Sequence, residues 1–292
     1  MYKNLLVVDG NSLFFRAYYG TLHTRGGILK NSQGVPVNAI LTFARMMLNL
    51  IKDFNPSHIL VAFDTGKKTE RHLVYEAYKG GRTKAPDELQ AQFPLARELL
   101  DSLRIKHYAR EGYEADDIIA TIATKYQHKF TDIFVISSDR DLLQLINSKI
   151  SLVIPQNNSK KHKIINHFNF VAELGFFPHQ VPDFKGLVGD KSDNLPGVKG
   201  IGEKGAISLL KEYNSLESIY ANLSTINEKT REKLINSQEI AFLCKKLAIL
   251  HINMNLPFDL NNLVFNHNYQ ASAQSFYKKY ELFSLIKQIS TK

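Results

Sequence analysis

The chain has 292 residues, room for one large α/β domain or a core with a smaller appendage, and 44% hydrophobic and 22% charged residues with 16 Gly and 9 Pro exclude a disordered or collagen-like polymer. Its single cysteine, Cys244, excludes an internal disulfide and a cysteine-based zinc site, and no run approaches the roughly 18 apolar residues of a membrane span. Lysine and arginine outnumber the acids by 37 to 28, a net charge of +9 that favours a polyanionic partner such as nucleic acid. With no cleavable leader at the apolar start, the expected compartment is the cytoplasm.

In chain order, residues 5–8 form a short apolar run ending at Asp9, and residues 39–54 repeat apolar positions at helical spacing with Asn38 as N-cap. Residues 59–63 are a second strand ending at Asp64, residues 89–103 a helix interrupted at Pro94, and residues 105–109 a weaker strand before Glu114, Asp116 and Asp117. Residues 118–126 read as helix, and residues 133–136 as a strand running into Asp139 and Asp141. A further strand at 151–154 leads into a polar stretch, 156–163, expected to be a hairpin turn. Beyond a boundary near 175 the pattern is helical, at 180–188, 203–213, 228–250 and 271–289. Strands alternating with helices predict an α/β fold with a doubly wound parallel sheet, whose ligands bind beyond the carboxyl ends of the strands.

The acids that follow these strands fall at that edge. One aspartate there is ordinarily a helix cap. Together with Asp190 and Asp193 they make nine: Asp9, Asp64, Glu114, Asp116, Asp117, Asp139, Asp141, Asp190 and Asp193. Carboxylates crowded into one crevice repel unless cations join them, and oxygen donors without His or Cys suit Mg²⁺ or Mn²⁺. Enough acids are present for at least two ions, the arrangement that serves in-line displacement at phosphorus. Setting these nine aside leaves 19 acids against 37 basic groups, a cationic surface around an anionic pocket.

Residues 195–205, LPGVKGIGEKG, contain a formal GxGxxG at Gly200, Gly202 and Gly205. No strand precedes it, so the expectation is a turn between helices in which glycines admit close approach to DNA phosphates rather than a dinucleotide site. Between Asp64 and residue 89, Lys67, Lys68, Arg71, Lys79, Arg82 and Lys84 are interleaved with Tyr75 and Tyr78. That mixture suits a single-stranded nucleic-acid path with rings stacked on bases, or a wall over the site from which Lys79 and Arg82 reach the scissile phosphate; a solvated helix face is the plain alternative. Arg16 is a candidate phosphate contact or a partner for a carboxylate.

Six segments carry a family likeness: VVDGNSLFFRAYYG at 7–20, AFDTG at 62–66, RHLVYEAYKGGR at 71–82, GYEADDIIAT at 112–121, ISSDRDLLQL at 136–145 and GLVGDKSDNLPGVKGIGEKGA at 186–206. In this order they resemble the 5′-nuclease (5′–3′ exonuclease) domain of bacterial DNA polymerase I, in the flap endonuclease superfamily. The resemblance implies a PIN-like core at 1–175 with a helical arch at about 65–90, then a helical DNA-binding region at 176–292 with its helix–three-turn–helix element at 197–205. It implies cleavage of 5′ flaps and 5′-terminal nucleotides on branched or nicked DNA, in RNA-primer removal and repair.

By matching position, Asp9, Asp64, Glu114, Asp116 and Asp117 resemble one metal cluster, and Asp139, Asp141, Asp190 and Asp193 a second. Lys79 and Arg82 resemble the contacts to the scissile phosphate, with Arg71 in the same arch. Arg16, Gly197, Val198, Gly200, Gly202 and Lys204 are the expected DNA contacts, and the turn is a place where relatives hold K⁺. Further expectations are a monomer without membrane contact, nucleoid association, and a DNA polymerase joined in the same chain or acting separately. The rivals are a non-catalytic module for branched DNA and an Asp-x-Asp phosphohydrolase built on Asp139 and Asp141, which Leu142 and Leu143 disfavour by standing where that class has Thr.

Overall fold

The computed structural model describes residues 2–22, 28–156 and 162–290 of the chain. Strand β1 (Tyr2–Asp9) is buried from Leu5 onward and leads directly into α1 (Gly10–Tyr19). Helix α2 (Asn38–Phe54) buries Ala39, Ile40, Phe43, Ala44, Met47, Leu50 and Ile51, the 3.6-residue stripe visible in the sequence. Its cap differs from expectation. Asn38 is already inside the helix and hydrogen-bonds Thr21 Oγ1 (2.8 Å), while Gln92 Oε1 accepts the Ala39 and Ile40 amides from across the core.

Strand β2 (His58–Ala62) is followed by two short helices, α3 (Glu70–Val74) and α4 (Asp87–Gln90), then α5 (Phe93–Ser102) and β3 (Lys106–Tyr108). Pro94 therefore begins α5 rather than interrupting a longer helix, because an N-terminal turn needs no amide there. Helix α6 (Ala115–Tyr126), β4 (Phe130–Ile136), β5 (Ile150–Ile154), β6 (Lys163–Ile165) and α7 (Phe170–Leu174) complete the core region. The hairpin turn expected at 156–163 falls mostly on 157–161, outside the described residues.

The six strands form one sheet in the order β3-β2-β1-β4-β5-β6. All neighbours are parallel except β5 and β6, which are antiparallel, so the sheet is mostly parallel rather than wholly so. Side chains alternate between faces: Leu6, Val8, Ile59 and Val61 enter a layer with α1, α2 and α5, whereas Leu5, Val7, Leu60 and Ala62 pack against α6. Successive crossovers leave β1 toward β2 and later toward β4, on opposite sides. The carboxyl ends of β1 and β4 thus flank the switch point at which such sheets open a crevice.

The second unit comprises α8 (Val181–Val188), α9 (Glu203–Tyr213), α10 (Leu216–Ala221), α11 (Glu228–Asn236) and α12 (Gln238–Ala248). They surround Leu187, Val198, Ile201, Leu210, Leu216, Ile219 and Leu234. The single helix expected over 228–250 is two, parted at Ser237. Helices α13 (Gln270–Lys279) and α14 (Phe283–Ser290) depart from the expected 176–292 unit: Ala273, Phe276, Tyr277 and Leu285 bury themselves in the sheet core beside Leu95 and Leu99 of α5. The apolar stripe of α13 fits that layer. Among the described residues no helix is long and apolar enough to cross a membrane.

Candidate active site

The strand ladders hold Val8 beside both Val61 and Ile136, so the ends of β1, β2 and β4 are level. Asp9 leaves β1 as the N-cap of α1: its Oδ1 accepts the Ser12 amide (2.9 Å) and its Oδ2 the Ser137 hydroxyl (2.7 Å). Capping and site building coincide at this residue. Asp64 Oδ1 accepts the Ala115 amide (2.8 Å) at the start of α6, and the Asp64 amide donates to Asn11 Oδ1 (2.9 Å). Glu114 is the N-cap of α6 and Asp116 lies in its first turn. Beyond β4, Asp139 Oδ1 accepts the Asp141 amide (2.8 Å). Asp9, Asp64, Glu114, Asp116 and Asp139 line one cavity of about 290 Å³, together with Asn11, Ser12, Lys79, Arg82 and Ser138.

Burial pushes the Asp9 carboxyl up to about 7; hydrogen bonds from Ser12 and Ser137 oppose the rise, and repulsion from Asp64 and Asp139 adds to it. Burial likewise drives Asp116 well above the carboxylate range, reinforced by Asp139, Asp9 and Asp64. Its Oδ1 is buried without a hydrogen-bond partner. Burial also raises Asp139. Lys79 Nζ donates to Glu114 Oε1 (2.6 Å); burial disfavours its charge, but Glu114 and Asp193 outweigh that and raise its pKa.

An all-oxygen donor set with an orphaned carboxylate oxygen fits a hard divalent cation. Among the described residues no three acidic, histidine or cysteine side chains converge as a ready-made ion shell.

The remaining acids are paired. Lys185, buried in α8, bridges Asp141 and Asp190, with its Nζ 2.5 Å from Asp190 Oδ2. Burial would raise Asp190, but the Lys185 charge and hydrogen bond, with Ser192, hold it at about 2. Asp193 accepts Arg82 Nη2 (2.8 Å) and the Tyr78 hydroxyl (2.9 Å). Asp117 receives both Nη atoms of Arg71 at 2.8 Å and also the His251 and Glu114 amides, so burial is outweighed and its pKa falls. Beyond Asp139 a cavity of about 590 Å³ has an apolar floor that includes Phe176, Val181 and Phe184 under a rim of Arg140, Asp190 and Lys191.

The acidic loop and the glycine-rich turn touch through two glycines. Gly189 (φ +78°) and Gly197 (φ +64°) both have left-handed backbones, and a Cβ on Gly197 would lie 2.3 Å from the Gly189 nitrogen. Gly202 is the N-cap of α9, Lys204 is exposed in its first turn, and Lys233 Nζ donates to the Gly200 carbonyl (2.9 Å).

A model of the 5′–3′ exonuclease N-terminal, resolvase-like domain matches residues 4–175, and a model of the 5′–3′ exonuclease C-terminal SAM fold matches residues 176–271. The chain belongs to the 5′–3′ exonuclease family of nucleases. It is 36% identical over 271 residues to the 5′–3′ exonuclease of Bacillus subtilis, covering 93% of this chain and 91% of that one. It is 43% identical over 265 residues to DNA polymerase I of Streptococcus pneumoniae, covering 90% of this chain but only 30% of the polymerase. Among solved structures, T5 5′-exonuclease with zinc superposes with a TM-score of 0.70 at 22% identity, covering 99% of both chains. A T5 flap endonuclease complex with DNA and metal ions gives 0.69 at 22% identity, covering 99% of this chain and 100% of that one.

Within this exonuclease fold, several residues stand elsewhere than the sequence suggests. Arg71 is buried, its guanidinium bound to Asp117 and the Leu247 and Ile249 carbonyls, so it faces the interior rather than a DNA strand. Asp117 is correspondingly engaged by amides and arginine, outside the cavity that holds its neighbour Asp116. Tyr78 is 2% exposed, which removes it from base stacking, and Tyr75 is half-buried against the cluster that Tyr78 forms with Leu195, Cys244 and Leu247. Val198 is a core residue of the second unit, leaving only its backbone for a ligand. Arg16 Nη2 donates to Ser138 Oγ (3.2 Å) beside the cavity.

Sequence reading missed Lys185, Asn11 and Ser137. A lone lysine in the apolar stretch VPDFKGLV, five residues before Asp190, was the available signal for Lys185. Asn11 and Ser137 had none beyond following strand-end residues.

Proposed function

We propose that the chain is a structure-dependent 5′–3′ exonuclease and 5′-flap endonuclease that hydrolyses DNA phosphodiesters, serving RNA-primer removal and DNA repair. The observation that carries this reading is the cavity at the sheet's carboxyl edge, where five carboxylates meet Lys79 and Arg82. Asp9, Asp64, Glu114, Asp116 and Asp139 would hold Mg²⁺ or Mn²⁺, with Asp141, Asp190 and Asp193 beside a second ion; when bound, such ions ease deprotonation of water and offset charge on phosphate oxygens. Ser12 and Ser137 orient Asp9, and the amides of Ala115 and Asp141 orient Asp64 and Asp139. Lys79 and Arg82, on exchanging Glu114 and Asp193 for phosphate, donate hydrogen bonds to its non-bridging oxygens.

Residues 1–175 act as the nuclease core and the helical unit after 175 as the duplex grip. Gly197, Gly200 and Gly202 bring backbone close to phosphate, Lys204 adds charge, and K⁺ is a further ion for this turn. The T5 flap endonuclease complex with DNA and metal ions supports the substrate class, and the polymerase relative supports a polymerase partner in the same chain or a separate one. A monomer in the cytoplasm, at the nucleoid, completes the reading.

The test uses a 5′-labelled flap and a matched blunt duplex, each with Mg²⁺ or chelator. Expected are a flap-length product from the first and mononucleotide or short products from the second, both abolished by chelator. Binding without cleavage in Mg²⁺ or Mn²⁺ would overturn the enzymatic reading in favour of a branched-DNA-binding module.

A further inference from the structure

The segment bearing Lys79 and Arg82 is fastened, turn to turn, onto the loop bearing Asp190 and Asp193. The Lys79 amide donates to the Asp193 carbonyl (3.0 Å). In return, Asn194 Nδ2 donates to the Ala77 carbonyl (2.8 Å). Arg82 and the Tyr78 hydroxyl close the sides by donating to the Asp193 carboxylate at 2.8 and 2.9 Å. Two residues in this contact carry left-handed backbones without being glycine: Lys79 at φ +56° and Asn194 at φ +58°. Asparagine tolerates that region, whereas lysine does so at a cost that surrounding contacts must offset.

The strained residue is the one whose ammonium reaches Glu114 in the cavity. Its conformation directs the side chain inward while its amide turns to the acidic loop. Two bonds that hold this turn from outside, at the Ala77 carbonyl and at the Lys79 nitrogen, come from residues 193–194, beside the turn's own bonds from the Gly80 amide to Ala77 (3.0 Å) and from the Arg82 amide to Lys79 (3.1 Å). Asn194 is exposed and lies outside the acid cavity, so its amide has no other evident task there than holding this turn.

We propose that Asn194 is a positioning residue: its side-chain amide clips the Ala77 carbonyl and thereby keeps Lys79 in the left-handed conformation that presents its ammonium to the cavity. The proposal rests on the role given to Lys79 in the preceding reading. The same loop runs from Asp190 through Asn194 into the glycine-rich turn, with the Asp190 and Leu195 backbones bonded to each other in both directions (2.7 and 2.8 Å). A duplex seated on that turn therefore bears on a loop that also sets Lys79.

The test compares the parent, Asn194→Gly, Lys79→Ala and the double variant. Glycine keeps the left-handed backbone and removes only the clip, so the fold should hold, which a thermal melt verifies. Single-turnover cleavage of a 5′-labelled flap in saturating Mg²⁺ should fall about tenfold in Asn194→Gly, the scale of one lost hydrogen bond, while flap affinity in chelator stays within about twofold. In the Lys79→Ala background the same substitution should change the rate by less than about twofold, since a residue acting through Lys79 has nothing left to position.

Parental rates in Asn194→Gly, or an undiminished tenfold loss in the Lys79→Ala background, would overturn the clip. If the parent failed to cut, or Lys79→Ala cut at the parental rate, the role of Lys79 itself would fall and the clip with it, an outcome distinguished by the two proteins that retain Asn194.

Discussion

Asp9, Asp64, Asp116 and Asp139 face a common cavity and, among the described residues, none makes an ion pair; Asp117, Asp141, Asp190 and Asp193 each hold an arginine or lysine. The same residue type thus has opposite electrostatics inside the cavity and just outside it. Burial and mutual repulsion raise Asp9 and Asp116, whereas Arg71 and Lys185 overcome burial to lower Asp117 and Asp190. A count of acids is therefore not a count of unpaired charges. The unpaired group lacks a counter-charge, and the paired group already carries one from the protein.

The sharpest way to break this comparison is Asp116→Asn. Cleavage of the flap should fall by roughly a thousandfold, the scale of several kcal/mol of lost charge stabilisation, while flap binding persists. In chelator the same variant should melt higher than the parent, because one repelling carboxylate is gone. Retained cleavage, or a lower melting temperature in chelator, would mean that this group is not poised for a cation.

Arg71→Ala tests the paired group. Leaving Asp117 buried without its counter-charge should cost about 3–5 kcal/mol by urea unfolding, with the loss appearing in chelator and in Mg²⁺ alike. A pH series adds a sign. With its folded pKa depressed, Asp117 contributes stability that is complete above about pH 4 and is lost as pH falls through the folded value, so the acid limb of the parent's stability curve should flatten in Asp117→Asn.

Lys204→Ala removes an exposed charge outside both groups. Duplex affinity should drop severalfold and the salt slope by about one unit, with metal uptake unchanged; equal affinity at several salt concentrations would remove the glycine-rich turn from the DNA path. Lys67→Ala sets the baseline. Its pair with Glu111 is about two-thirds exposed on both sides, 64% and 69%, and its loss should move unfolding free energy by less than about 0.5 kcal/mol.

Much of the fold was legible because burial leaves a period in sequence. Leu5–Val8 and residues 133–136 read as strands because both faces of those strands are covered, and α2 was readable from its apolar stripe. The cap of α2 was not readable, since it comes from Gln92, 53 residues from Ala39. The split at Ser237 and the return of α13 to the core were hidden for a related reason: periodicity names the buried face of a helix but not what covers it.

Within the site, strand-end position found Asp9, Asp64 and Asp139. It could not separate Asp116 from Asp117, whose side chains diverge by one residue's rotation on α6, one into the cavity and the other to Arg71. The Glu114 to Asp117 spacing of a capping box was the local hint, for Asp117 Oδ2 accepts the Glu114 amide (3.1 Å).

The homeward path of α13 and α14 onto α5 makes the helical unit between them and the sheet a loop closed at both ends by the core. A single cut after residue 250 would not free two modules; it would divide from the rest of the chain Tyr277 and Leu285, which share one buried layer with Leu95 and Leu99 of α5.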